Sequence, residues 1–141
     1  MKPGDIYRHD RFYVDSTTGE VRPKYLLFMA PTRSGDWVVR LLTSRAHARP
    51  RQPPCFHGDP YPGYFLGAPG PPIERDTWID LRGCSDVDVD EARVLIAKGV
   101  MHNVSRVESA QFRPALECAA GAADTTRHQE QAIRDQLARL T

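Results

Sequence analysis

The sequence predicts a small α+β domain, mainly β, in which strands come first and helices last. Three observations lead there. Short apolar runs bounded by turn residues fill the chain as far as Val107, and apolar residues at helical spacing follow from Ser109. Twelve prolines and ten glycines argue for many turns and against a helix bundle. At 141 residues the chain holds one core comfortably and two poorly, so it reads as a single domain, residues 1–141.

The first strand or hairpin is expected between Gly4 and Asp15, where Ile6, Tyr7, Phe12, Tyr13 and Val14 alternate loosely with polar residues. Asp15 to Gly19 is a turn. Two apolar strands follow, Glu20 to Met29 and Asp36 to Arg45, separated by the turn signal Ser34, Gly35, Asp36, so they pair as an antiparallel hairpin. That pairing brings the start of one strand near the end of the other. Arg22 then shares a rim with the hydroxyls of Thr43 and Ser44, and a guanidinium beside hydroxyls suits an anion.

Residues 46–62 form a long loop rich in proline and arginine, with no apolar periodicity. Tyr64 to Leu66 and Thr77 to Leu81 read as strands, with Trp78 on a buried face. Residues 90–98 carry acids at the start and precede Gly99, the pattern of a short helix. Val100 to Val107 reads as a last strand. Residues 108–141 hold the closing helices. The first runs from Ser109 to Cys118 around Phe112, Ala115 and Leu116, with Pro114 as an awkward member. The second opens on a capping box, Thr126 with Gln129, and carries Ile133, Leu137 and Leu140 on one stripe. The result is a twisted sheet or barrel with helices packed on one side.

The composition is that of a globular protein, 40% hydrophobic and 26% charged. A net charge of +1 points by itself to neither nucleic acid nor membrane. Its distribution is more telling. Arg40, Arg45, His47, Arg49 and Arg51 lie in a window without acids, whereas Glu74 to Glu91 is acidic. This arrangement presents a local anion site, or else two solvated loops of opposite sign. Cys55, Cys84 and Cys118 are odd in number and lack a CxxC pair, which predicts buried or inert thiols in a reducing compartment. Polar residues at the N-terminus and the lack of a long apolar run predict no signal peptide, no membrane contact and a cytoplasmic protein. Cys55 and His57 with His47 lack a zinc spacing, so neither metal nor cofactor is expected.

Three segments together resemble the MazF/PemK family of toxin endoribonucleases: Lys2 to Tyr7 (KPGDIY), Val21 to Pro23 leading into an apolar strand, and a second strand ending in Leu42, Thr43, Ser44. The likeness covers roughly the first 45 residues and beyond them rests on the order of elements. It implies a small Src-homology-3-like barrel with appended helices, usually a homodimer, that cuts single-stranded RNA without a metal and is neutralised by a cognate antitoxin. Carried onto this chain, it makes Arg22 and Thr43 the catalytic pair, with Ser44 assisting.

Such a site works by directing donors at the charge that gathers on the scissile phosphate. Arg22 suits that role electrostatically, since its high pKa makes it a poor proton shuttle. Lys24, Arg45 and His47 are further substrate contacts. The general base is one of Glu20, His9 and His47, with Glu20 the nearest acid to Arg22. The rival reading is a non-catalytic barrel that binds nucleic acid or a protein through the basic loop 45–51.

Overall fold

The computed structural model describes residues 1–140. Seven strands form one sheet: β1 (Asp5–Val14), β2 (Val21–Pro31), β3 (Trp37–Thr43), β4 (Cys55–Phe56), β5 (Gly63–Gly67), β6 (Thr77–Asp80) and β7 (Met101–Arg106). Three helices complete it: α1 (Val89–Ala97), α2 (Ser109–Ala120) and α3 (Arg127–Arg139). The strand order is β4-β5-β6-β3-β2-β1-β7, and every neighbouring pair is antiparallel. No pairing joins β4 to β7, so the sheet is not closed. The chain is an α+β domain, mainly β.

Alternation along the central strands divides the apolar residues between two faces. Leu27, Met29, Val38 and Leu42 face one way, against Phe112, Ala115 and Leu116 of α2 and Ala132 and Ile133 of α3. Leu26, Phe28 and Val39 face the other way and pack with Tyr7, Trp37, Met101 and Ala92 of α1. The helices therefore cover both faces rather than one, as the sequence had suggested. The short acidic helix closes the second face because its one fully buried side chain, Ala92, lets it lie close against the sheet.

Local signals account for the element ends. Asp88 accepts from the backbone N–H groups of Asp90 and Glu91 to cap α1, and Gly99 leaves that helix with φ 71°. The capping box at Thr126 is formed in both directions. Pro114 is accommodated inside α2, whose Phe112, Ala115 and Leu116 are buried around it.

The cysteine expectation is corrected. Cys55 on β4 and Cys118 on α2 form a disulfide, and Cys84 alone carries a free thiol. The two cysteines lie 63 residues apart in sequence, so no local spacing announces the bond. The long loop also contains the short edge strand β4.

Thr126→Ala removes one side of the capping box and is expected to lower unfolding stability by about 1 kcal/mol. Chemical denaturation followed by circular dichroism measures this, and an unchanged midpoint would show that the cap contributes nothing to α3.

Candidate functional site: a cation-lined groove

A groove of about 820 Å³ lies where β1, β2 and β3 meet the loop after β3 and the segment before β6. Lys24, Thr43, Ser44, Arg45 and His47 all line it, together with Arg49, Arg75 and Arg82. The aromatic side is formed by Phe12, Tyr13 and Tyr25, and the two acids are Glu74 and Asp80.

The pairing of β2 with β3 explains why the predicted residues gather. Tyr25 opposes Leu42, which sets Lys24 beside Thr43 at the next rung. Both project from the face that carries Leu26 and Leu41, beyond the end of its apolar cluster. Thr43 Oγ1 accepts the backbone N–H of Arg45 at 3.1 Å, which holds the start of the loop and leaves the hydroxyl proton free to donate. His47 adopts a left-handed backbone (φ 46°), as does Ala48 (φ 66°), so the chain turns sharply there. The His47 ring stacks on Tyr61 with centroids 4.5 Å apart.

Asp80 holds this wall together. Its carboxylate accepts from Arg82 Nε at 3.0 and 3.1 Å and from Nη2 at 2.7 Å, and Arg49 Nη2 lies 3.2 Å away. Arg49 is buried, donating from Nε to Pro62 O at 3.0 Å and from Nη1 to Arg45 O at 3.2 Å. Both guanidinium groups also lie over the Tyr61 ring, 5.4 and 5.0 Å from its centre. Gly63 is required next to Arg49, because a Cβ there would sit 2.5 Å from Arg49 Cδ and 3.1 Å from the carbonyl oxygen of Ile79.

Burial pushes the Asp80 carboxyl upward, but the hydrogen bonds from Arg82 and the charges of Arg82 and Arg49 outweigh it and hold its pKa below the usual value. Burial lowers the pKa of Arg49, opposed by Asp80. Asp80 is thus an ionised anchor whose charge is spent on two arginines. The groove-lining cations outside that network are Lys24, Arg45 and Arg75.

Arg22 is not among the groove-lining residues. It shares the face of Lys24 one strand repeat away, and it pairs across the sheet with Tyr13, which does line the groove. Its guanidinium contacts Glu20 at 3.0 Å and Asp15 at 3.7 Å. Glu20 is therefore engaged with Arg22 outside the groove. His9, opposite Lys24 on β1, accepts the backbone N–H of Arg11 at Nδ1.

The basic window of the sequence is dispersed by the fold. Arg40 is fully buried, donating to Val39 O, Gln129 Oε1 and Thr125 Oγ1, and Arg51 pairs with Asp76 at 2.7 Å. Arg45 and His47 remain for the groove. Sequence reading missed Asp80, Arg82 and Tyr61. Arg82 follows Asp80 by two residues, just past the end of β6, and that short acid-to-arginine spacing was the available signal.

Comparisons with protein-family models, with curated proteins and with solved structures find no match to this chain.

Asp80→Asn is expected to cost about 3 kcal/mol at neutral pH, because it leaves the Arg49 charge buried without its partner. The depressed folded pKa fixes the sign of the pH dependence. The charge-dependent stabilisation is complete above the unfolded pKa of about 3.9 and disappears as pH falls through the lower folded value. Urea denaturation of wild type and variant from pH 7 to below 3 measures the convergence. Equal stability at neutral pH would refute the anchor role.

Proposed function

We propose that this protein is a MazF/PemK-like endoribonuclease whose groove takes single-stranded RNA and cleaves it through the 2′-hydroxyl, with no metal at the scissile phosphate. The observation that carries the reading is the convergence of Lys24, Thr43, Ser44, Arg45 and His47 on one open groove that also holds exposed aromatic rings. Cations neutralise the backbone, and the rings of Phe12 and Tyr13 offer stacking surfaces to unpaired bases.

The chemistry follows from the side chains. His47, which lines the groove where Glu20 does not, removes the proton of the 2′-hydroxyl. Thr43 and Ser44 donate to the non-bridging oxygens, and Arg82 adds charge from a position fixed by Asp80. Arg22 exchanges Glu20 for phosphate when RNA lies across Tyr13, adding a multi-donor cation to the same rim. The 2′-oxygen attacks phosphorus, the P–O5′ bond breaks, and the departing 5′-oxygen takes a proton from solvent, leaving a 2′,3′-cyclic phosphate and a 5′-hydroxyl.

On this reading β1, β2, β3, β5 and β6 are a Src-homology-3-like barrel left open. The protein is a cytoplasmic homodimer held in check by an antitoxin that occupies the groove. A binding module working through loop 45–51 would rely on Arg45 and His47, which line the groove, since Arg49 is buried.

Purified protein, free of antitoxin, is expected to cut single-stranded RNA in the presence of a chelator. Arg22→Ala and His47→Ala should each lower the single-turnover rate about 100-fold. Arg51→Ala should leave it unchanged. RNA that stays intact at high wild-type concentration overturns the proposal, and binding without cleavage would favour a non-catalytic module.

A further inference from the structure

Away from the groove, three metal-ligating side chains converge where the edge strand β4 meets the end of α2. Cys55 and His57 lie two residues apart, and the Cys55 sulfur sits 3.5 Å from His57 Nε2. Cys118 approaches from α2 with its Cα 5.7 Å from that of Cys55. The ligand atoms of all three lie within 4.8 Å of one another. His57 Nε2 is 3.5 Å from each sulfur. Gly121, in the turn after α2, makes room for the ring: a Cβ there would sit 3.3 Å from His57 Cε1.

We propose that this cluster is a redox-gated site for a thiophilic divalent ion, best suited to zinc, formed when the disulfide is reduced. Zinc–sulfur bonds of about 2.3 Å and a zinc–nitrogen bond of about 2.0 Å at tetrahedral angles place nitrogen and sulfur about 3.5 Å apart. Both nitrogen–sulfur edges already have that length. Only the sulfur–sulfur edge must change, from a covalent bond to about 3.8 Å. β4 can give the required movement, because it is a two-residue strand paired on one side only, to β5. Cys118 is buried while His57 is exposed, so solvent supplies the fourth ligand.

The chemistry balances in two steps. Two thiols, or one phosphine with one water, give two electrons and two protons to the sulfur–sulfur bond, which breaks to two thiols. The reductant thiols join as a disulfide, or the phosphine takes the water oxygen as its oxide. Zinc then displaces those two protons and binds two thiolates and the neutral imidazole. His57 carries its ring proton on Nδ1 in that state and gives up the contact of Nε2 with Cys118 O at 2.9 Å. The ion replaces the covalent tie, so β4 stays fastened to α2 in either redox state. The inference does not depend on what the groove binds.

The test is a cobalt(II) titration of the full chain, as purified and after phosphine reduction and removal of the reductant without air. The reduced protein is expected to take up one cobalt per chain, with sulfur-to-cobalt charge transfer and the intense visible bands of a tetrahedral site, and zinc should displace it. The disulfide form should show neither. His57→Ala keeps the disulfide and should weaken zinc binding at least 100-fold in the reduced protein. Circular dichroism checks that each sample is folded. Reduced, folded wild type without the thiolate signature, or a Cys118→Ser variant that binds as tightly as wild type, overturns the proposal.

Discussion

The contact between Arg49 and Asp80 is the constraint on which the groove depends. Asp80 ends β6 in the middle of the sheet, whereas Arg49 belongs to a loop that hydrophobic packing alone would hold poorly. Burying this charge pair carries a desolvation cost that only good geometry offsets. Hydrogen bonds come from both sides, from Arg82 to the carboxylate and from the Arg49 guanidinium to the carbonyls of Pro62 and Arg45. Arg49 Nη2 faces Asp80 as an ion pair without a hydrogen bond. A loop otherwise free to wander is thereby fixed as a wall. Tyr61 and His47 stack on that wall in sequence, so the imidazole inherits its position from an ion pair it does not touch.

The same arrangement decides which charges reach a ligand. Asp80 is consumed internally, and Arg40 and Arg51 are turned to structural tasks elsewhere. A nearly neutral chain consequently presents a groove in which cations outnumber acids, and one of its two acids, Asp80, is bound internally. Arg22 lies outside the groove lining, held by Glu20 and paired across the strands with Tyr13.

How far the sequence revealed this depended on the range of each interaction. The hairpin of β2 and β3 was legible because the apolar runs and the Ser34 to Asp36 turn are local, but its register, which sets Lys24 rather than Arg22 beside Thr43, was not. The capping box at Thr126 was legible for the same reason. The placement of α1 on the opposite face from α2 and α3 was not, because an amphipathic helix does not state which side of a sheet it will cover. Asp80 read as one acid in an acidic stretch, since its partner Arg49 comes from a distant loop. The Cys55 to Cys118 tie was hidden in the same way: cysteine spacing carries information only when ligands or partners are sequence neighbours. An open sheet edge depends on whether β4 and β7 meet, which no local pattern specifies.

The most direct measurement is the chemistry of the ends left on RNA. A short single-stranded oligonucleotide incubated with the purified chain and a chelator should yield, by mass spectrometry, a 5′ fragment ending in a 2′,3′-cyclic phosphate and a 3′ fragment beginning with a 5′-hydroxyl. An all-deoxy copy should remain whole, since it lacks the internal nucleophile. Cleavage of the deoxy copy, or fragments ending in a 3′-hydroxyl, would contradict attack by the 2′-hydroxyl in this groove.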